Sequence, residues 1–313
     1  MADPLRLAAS VPQAALILAR ERPAAIFTTG GYVAIPTMLA AAALRIPVVL
    51  WDGNVIPGRS VRVTARLADV LAVSFAATCA ALSAGETPCY LTGTPIRATS
   101  SVDRVAARER FGIPAGERLL LIFGGSQAVR RFNQAVAEAL PWLVERVHVL
   151  HVTGDDGYAP ALAAREALPE PGRGRYHPHR YLRDEMADAL AAADLVVGRA
   201  GSSTLAEVAA FGVPMVVVPY PHAAGHQRAN ALAVADAGAA RLVEDDAFDG
   251  SALVAAADLL ADPAAHARMT AAARSLGRPD AAEAVADLVL ALANRLPLPG
   301  ADDIDRRSRG TAA

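Results

Sequence analysis

Residues 195–207 read Leu-Val-Val-Gly-Arg-Ala-Gly-Ser-Ser-Thr-Leu-Ala-Glu. An apolar run is followed by a glycine, three hydroxyl side chains and a helix-forming stretch, which predicts a buried strand, a tight turn and the first turn of a helix. Such a helix start presents backbone N–H groups and the positive end of the helix dipole, which suit a diphosphate. Thr204 and Glu207 also fit a capping box, the simpler explanation for those two residues. In the ligand-binding interpretation, the Glu207 carboxylate is placed to accept hydrogen bonds from a ribose diol.

The same order of apolar run, glycine-rich or polar break and helical stretch recurs along the chain. Continuous apolar runs are typical of strands covered on both faces, and their alternation with helices predicts parallel sheets with right-handed crossovers. A second glycine loop, Gly124-Gly125-Ser126-Gln127, lacks the Lys-Ser/Thr of a P-loop and the G-x-G-x-x-G of a dinucleotide site. The runs predicted as strands are residues 24–28, 47–51, 70–74, 119–123, 147–153, 195–198, 215–219 and 240–243.

Composition excludes several classes of protein. Apolar residues make up 53% of the 313 residues and charged residues 20%, so global disorder and a coiled coil are ruled out. A net charge of −2 argues against a nucleic-acid binder. Two cysteines do not make a disulfide scaffold, which leaves a reducing cytoplasm as the default. Residues 23–44 are uncharged, but their prolines and glycines predict strand, turn and helix rather than a membrane span.

The spacing of the runs predicts two α/β halves. We expect an N-terminal domain over residues 1–98, a linker over 99–116 and a C-terminal domain over 117–280. A helix over 281–296 and a disordered tail over 297–313 complete the chain. The N-terminal half offers three strands, fewer than a doubly wound domain usually has, so we expect that domain to be incomplete.

The sequence signals for other candidate sites are weaker. His222 and His226 have the spacing of a helical metal pair, but Pro221 and Gly225 argue against a helix between them, and a polar loop facing a sugar is the alternative. Asp303 and its neighbours resemble a metal-binding motif within a solvated charge run. We therefore predict no metal. His148, His151, His177 and His179 are interpreted as structural or exposed.

Six motifs occur in the order and approximate spacing of the MurG family of glycosyltransferases, which this chain resembles from about residue 5 to residue 294. The resemblance implies a GT-B fold of two Rossmann-like parallel-sheet domains that face a cleft. The motifs are Thr-Gly-Gly-Tyr from Thr29, Asn-Val-Ile-Pro-Gly from Asn54, Gly-Thr-Pro-Ile-Arg from Gly93, the Gly124 loop, the Arg199–Glu207 stretch and Gln-Arg-Ala-Asn-Ala from Gln227.

The resemblance implies inverting transfer of N-acetylglucosamine from UDP-N-acetylglucosamine to the 4-hydroxyl of undecaprenyl-diphospho-muramoylpentapeptide, without a cofactor. It places Leu182 at the uracil and Glu207 at the ribose. The positions that it assigns to the diphosphate or the sugar are Ser126, Arg97, Gly201, Ser202, Ser203, Thr204, Gln227 and, from the other domain, Asn54. It also implies a peripheral protein at the cytoplasmic face of the plasma membrane, and the apolar residues 5–18 are either a lipid-facing or a core-facing helix.

One family feature is not found. The family begins with a strand and a Gly-Gly-His loop that carries the proposed general base, and nothing like this loop occurs here. We therefore expect a truncated gene model and assign no catalytic base; Asp52 is considered only for its position in a loop facing the cleft. The alternatives are a related transferase for another sugar or acceptor, a UDP-sugar 2-epimerase, and an inactive sugar-nucleotide-binding subunit that needs an N-terminal partner.

Overall fold

The computed structural model describes residues 4–82, 87–97, 102–125, 129–223 and 225–310. The chain divides into two compact α/β units. Unit 1 comprises Met1–Arg97 and Arg278–Ala313, and unit 2 comprises Ala98–Gly277. The strands are β1 (Ile26–Thr28), β2 (Val48–Asp52), β3 (Val70–Val73) and β4 (Cys89–Leu91) in unit 1, and β5 (Leu119–Phe123), β6 (His148–Val152), β7 (Tyr176–His179), β8 (Leu195–Gly198), β9 (Met215–Val217) and β10 (Ala240–Leu242) in unit 2.

Helices connect these strands, as the alternating pattern predicts. Short 3₁₀ turns at Tyr32–Ala34, Ala65–Leu67 and Asp245–Ala247 supplement them. The helices are α1 (Pro4–Glu21), α2 (Ile35–Leu44), α3 (Arg59–Thr64), α4 (Ala76–Leu82), α5 (Arg104–Arg110), α6 (Val129–Val144), α7 (Gly154–Ala167), α8 (Gly172–Arg175), α9 (Met186–Ala192), α10 (Ser202–Ala210), α11 (His226–Asp236), α12 (Gly250–Ala261), α13 (Pro263–Leu276), α14 (Ala281–Ala293) and α15 (Ala301–Arg309).

Every strand pair in both sheets is parallel. The sheet of unit 1 has the order β1-β2-β3-β4, so its strands follow one another in one direction. The sheet of unit 2 has the order β10-β9-β8-β5-β6-β7. The chain therefore moves outward from β5 through β6 to β7, then crosses back and moves outward on the other side. This reversal creates a topological switch point between β5 and β8, where open parallel sheets bind their ligands.

The cores explain why the central strands were visible in the sequence. Leu119, Leu120, Leu121 and Ile122 of β5 are completely buried, because helices cover both faces of the sheet. β4 and β7 were missed because neither shows a long apolar run: β4 is the three residues Cys-Tyr-Leu and β7 is Tyr-His-Pro-His. None of the described helices is long and apolar enough to cross a bilayer.

The end of the chain differs from the prediction. The disordered tail predicted over 297–313 is wrong for residues 301–309, which form α15 with Ile304 and Ser308 buried. Ile304 packs with Val49, Val70 and Tyr90 of the unit 1 sheet, so a narrow buried face is enough to order a highly charged helix. Helix α14 also belongs to unit 1, and α5 lies within the predicted linker as part of unit 2.

One disulfide joins Cys79 of α4 to Cys89 of β4, with Cα atoms 5.8 Å apart. The expectation of a reducing cytoplasm did not anticipate this bond. A single bridge between neighbouring elements is not a disulfide scaffold, because it closes only a short loop of unit 1.

Candidate functional site

A cavity of about 660 Å³ opens at the switch point of unit 2. We call it the switch-point cavity. It lies at the carboxyl ends of β5 and β6, where the backbone leaves each strand through Gly124-Gly125 and Gly154. Its other lining residues come from the segments after β7, β8 and β9 and from α6: Tyr181, Leu182, Met186, Arg199, Tyr220, Arg130, Arg131 and Asn133, with Asp155, Asp156 and Asp245.

Arg199 forms a buried anchor in the wall of this cavity. Its side chain is 9% exposed and pairs with Asp245 Oδ1. The same Nη1 donates to the carbonyl oxygens of Val218 (3.3 Å) and Pro219 (3.4 Å), at the end of β9. The guanidinium also lies over the rings of Phe132 and Tyr220, 4.9 and 5.4 Å from their centroids. Arg199 therefore ties the start of the α10 segment to β9 and α6.

Helix α10 begins where the sequence predicted an anion-binding turn. Gly201 is its N-cap residue and no side chain caps the helix, so Thr204 lies at the third helical position rather than at the cap. The capping-box interpretation of Thr204 and Glu207 is therefore wrong. The N–H groups of Ser202 and Ser203 belong to the first turn, whose amides have no intrahelical acceptor. Glu207 lies one turn further along and is partly buried.

Helix α11 supports the same region through two amide side chains. The Tyr220 N–H donates to Gln227 Oε1 at 2.9 Å, which fixes the loop that carries Tyr220 in the cavity wall. Asn230 is fully buried, and its Nδ2 donates to the Ala200 carbonyl oxygen at 3.3 Å. Gln227 was predicted as a sugar contact, but here its Oε1 holds the backbone. Asn230 was not nominated from the sequence, although it follows Gln227 by one helical turn.

The segment after β7 forms the opposite wall of the cavity. The N–H group of Gly154 donates to the Arg180 carbonyl oxygen at 3.0 Å, and Tyr181 Oη donates to Asp155 Oδ2 at 2.6 Å. These bonds fix the backbone on either side of this wall, in which Leu182 lines the cavity. The hydrogen bond to Asp155 raises the pKa of Tyr181, because it stabilises the protonated phenol.

The remaining predicted contacts belong to unit 1 or fall outside the described residues. Asn54 and Arg97 belong to unit 1. The Asn54 N–H donates to Asp52 Oδ1 at 2.8 Å, and the Asn54 carbonyl accepts from Thr78 Oγ1 at 2.8 Å, so its backbone is fixed. Arg97 is exposed. Ser126 falls on residues 126–128, outside the described residues.

The histidines of β6 and β7 lie away from the cavity wall. His148 and His151 are 5% and 2% exposed. Nδ1 of His148 lies 3.0 Å from Nε2 of His177, and Nδ1 of His151 lies 2.9 Å from Tyr176 Oη. Burial lowers the pKa of His151 to about 3, so its imidazole is neutral in the folded protein. Their packing fits the structural interpretation. Across the described ranges no cluster of three or more His, Cys, Asp or Glu residues has the geometry of a metal site.

Comparison with known proteins places this geometry in a family. The model of the glycosyltransferase family 28 C-terminal domain matches residues 119–285, and that of the family 28 N-terminal domain matches residues 1–73. The UDP-N-acetylglucosamine–N-acetylmuramyl-(pentapeptide) pyrophosphoryl-undecaprenol N-acetylglucosamine transferase of Roseiflexus sp. (strain RS-1) is 37% identical over 93% of this chain and 74% of its own. The transferase of the same name from Gloeobacter violaceus is 38% identical over 87% and 75%.

The chain belongs to the MurG family of glycosyltransferases. The crystal structure of Acinetobacter baumannii MurG matches it with a TM-score of 0.73 and 27% identity, covering 93% of this chain and 81% of that one. The predicted GT-B fold of two parallel-sheet domains is confirmed. A Listeria monocytogenes structure described as a putative UDP-N-acetylglucosamine 2-epimerase, at 17% identity and a TM-score of 0.67, shares the fold alone. The MurG-family chain described here spans about three quarters of the length of its curated relatives.

Proposed function

We propose that this protein transfers N-acetylglucosamine from UDP-N-acetylglucosamine to the 4-hydroxyl of undecaprenyl-diphospho-muramoylpentapeptide during peptidoglycan synthesis. The observation that carries the proposal is the switch-point cavity in a chain that belongs to the MurG family. Its two glycine-lined strand ends suit a nucleoside diphosphate, and Arg199 in its wall precedes the N-cap residue of α10, Gly201, by two residues.

The proposed reaction inverts the anomeric centre. The acceptor hydroxyl attacks the anomeric carbon of the sugar, the bond to the diphosphate breaks and UDP leaves. The amides of Gly201, Ser202, Ser203 and Thr204 and the Arg97 guanidinium stabilise the charge that develops on the diphosphate, and one such donor is typically worth about 10²–10³ in kcat. Glu207 binds the ribose and Leu182 meets the uracil. Ser126, Gln227 and Asn54 complete the proposed donor contacts, and the general base stays unassigned.

A donor-binding experiment tests the proposal. Purified protein is titrated with UDP by isothermal calorimetry and then assayed with radiolabelled UDP-N-acetylglucosamine and the lipid acceptor. We expect saturable UDP binding and transfer of label to the lipid. Failure of the purified protein to bind UDP would contradict the proposal. UDP binding without transfer would favour an inactive sugar-nucleotide-binding subunit, and label moving from another nucleotide sugar would favour a related transferase.

Glu207→Gln tests the ribose contact. The neutral amide keeps the size of the side chain but accepts weaker hydrogen bonds from the diol, so we expect KM for the donor to rise about tenfold. The melting temperature is measured in parallel. If both KM and the melting temperature stay at their wild-type values, the assignment of Glu207 to the ribose is wrong.

We also propose peripheral attachment to the cytoplasmic face of the plasma membrane, since the acceptor is a membrane lipid. Leu16 and Ile17 of α1 are 73% and 59% exposed, whereas Leu18 is buried in the core of unit 1. Helix α1 thus has one face in the core and apolar side chains on another. We expect co-sedimentation with vesicles containing anionic lipid, and weaker binding after Leu16→Gln and Ile17→Gln. If the wild type and the substituted proteins sediment equally with the vesicles, Leu16 and Ile17 do not form the membrane-binding surface.

A further inference from the structure

Two guanidinium groups share one carboxylate in the wall of the switch-point cavity. Asp245 Oδ2 lies 3.3 Å from Nε of Arg131, and Asp245 Oδ1 accepts from Nη1 of Arg199. One negative and two positive charges leave this corner of the cavity with an excess of one positive charge. An arrangement of this kind attracts an anion once water is displaced from the cavity.

The two arginines differ in the exposure of their side chains and in the number of their partners. Arg199 has a side chain that is 9% exposed, and its Nη1 is committed to Asp245 and to two carbonyl oxygens. The side chain of Arg131 is 44% exposed, and Asp245 is its one ion-pair partner within the described part of the chain. Arg131 also lines the cavity. Arg199 is therefore held in the wall by its contacts, whereas Arg131 lines the cavity with a largely exposed side chain.

The other charged groups that line the cavity have ion-pair partners of opposite charge. Asp155 accepts from Tyr181 and lies 3.6 Å from Arg180 Nη1, next to the segment that follows β7. Arg130 and Asp156 form a highly exposed pair at 3.8 Å. Arg180 and Arg130 therefore balance the charges of Asp155 and Asp156, and the excess positive charge of Arg131, Arg199 and Asp245 lies where α6 follows the Gly124-Gly125 loop.

We propose that Arg131 binds the diphosphate of a nucleoside diphosphate in the switch-point cavity and that Asp245 is the positioning residue that aims its guanidinium. This inference rests on the proposed function and adds a residue to it. Arg131 lies in the first turn of α6, close to the glycine loop after β5. Its Nη groups donate to phosphate oxygens, while the Nε pairing with Asp245 restricts the side chain to the conformation that faces the cavity.

Calorimetric titration of four proteins with UDP and with uridine tests the assignment. The proteins are wild type, Arg131→Gln, Arg131→Lys and the control Arg146→Gln. Arg146 is a matched control because its side chain is 48% exposed and lies 3.2 Å from a carboxylate oxygen of Glu145, outside the cavity. We expect Arg131→Gln to raise Kd for UDP about tenfold and to leave Kd for uridine unchanged. Arg131→Lys keeps the charge and loses less affinity, and Arg146→Gln binds UDP as wild type does.

Salt separates an electrostatic contact from a structural one. The Kd of wild type for UDP rises with ionic strength, and we expect a shallower rise for Arg131→Gln because one charge contact is gone. Equal losses for UDP and uridine, or an unchanged Kd for UDP in Arg131→Gln, would overturn the assignment while leaving the proposed function intact. Absence of UDP binding by wild type would instead defeat the proposed function and this inference with it.

Discussion

The Asn133 amide occupies the space where a side chain at Gly157 would begin. A Cβ built on Gly157 lies 2.0 Å from Asn133 Nδ2 and 3.2 Å from Thr153 Cβ. The same Nδ2 donates to the Thr153 carbonyl oxygen at 3.0 Å. Glycine in helix α7 therefore allows α6 to approach the end of β6, and this contact shapes the wall of the switch-point cavity.

Replacing Gly157 by alanine should break this contact. Alanine in a helix is ordinarily about 1 kcal/mol more stable than glycine. Here we expect a loss of roughly 1–3 kcal/mol in the free energy of unfolding, because Asn133 must move. Urea unfolding measures it. The control is Gly174→Ala, whose Cβ meets Glu170 Oε2 at an ordinary 3.6 Å. Equal stability changes at both positions would show that Asn133 gives way without cost.

Asp245→Asn should destabilise unit 2. The substitution leaves the guanidinium of Arg199, 9% exposed, without its carboxylate. Loss of one partner from a buried pair typically costs about 3–5 kcal/mol, and the partial exposure of Asp245 places the expected cost near the lower end. Thermal unfolding checks it against Glu166→Gln, which removes an exposed partner 3.2 Å from Arg165 and should change stability by less than about 1 kcal/mol. Similar losses in both variants would contradict a special role for the buried pair.

Stability should fall as the pH is lowered below neutrality. Burial, and then the nearby charges of His148 and His179, lower the pKa of His177 to about 4. The unfolded imidazole binds its proton near pH 6.5, so between these values the unfolded state holds more protons and gains stability. The free energy of unfolding therefore decreases from about pH 6.5 toward pH 4, and His177 contributes on the order of 2 kcal/mol of this decrease by pH 5 and about 3 kcal/mol by pH 4.

His177→Gln should flatten this pH dependence, because the glutamine does not titrate in either state. Urea unfolding at pH 7 and pH 5 gives the difference directly. His222 lies exposed in the loop before α11, and His222→Gln is the control that should keep the wild-type slope. An unaltered slope in His177→Gln would assign the acid sensitivity to other groups.

Gly93 in unit 1 should tolerate no side chain. Its φ is +84°, and a Cβ would lie 2.7 and 2.8 Å from Cδ and Cβ of Arg278. Gly112, with φ +66° and no neighbouring atom within 4 Å, has the same backbone strain without the clash. We expect Gly112→Ala to cost about 1–2 kcal/mol and Gly93→Ala clearly more in scanning calorimetry. Equal costs would mean that Arg278 relaxes away.

The sequence predicted the interior of both sheets better than their margins. The strands β5 and β8 match the predicted runs because complete burial leaves an unbroken apolar signal. Helix α15 was missed because only Ile304 and Ser308 of its nine residues are buried, and the partners of Ile304 are distant in sequence. A narrow buried face in a charged segment is recognisable only once the sheet that it covers is known.

Some features of the candidate site were also predicted from the sequence and others were not. The glycine turns, the start of α10 and Glu207 were visible because local chemistry marks them, whereas Leu182 was indicated only by the family resemblance. Arg131 and Asp245 were not, since neither belongs to a motif and their pairing depends on the crossing of α6 and β10 segments far apart in the chain. Local patterns thus locate the turns and helix starts of the candidate site. The charged side chains of its wall are found only from the tertiary structure.

Because Arg278–Ala313 returns to complete unit 1, that unit is assembled from the two extremes of the polypeptide. A fragment cut at Gly277 would leave Val49, Val70 and Ala72 facing water instead of Ala284 and its neighbours. On the ribosome, unit 2 is fully synthesised while the first unit still waits for its last helices. Unit 2 can therefore be excised as one contiguous segment, whereas unit 1 requires two segments to be joined with a linker.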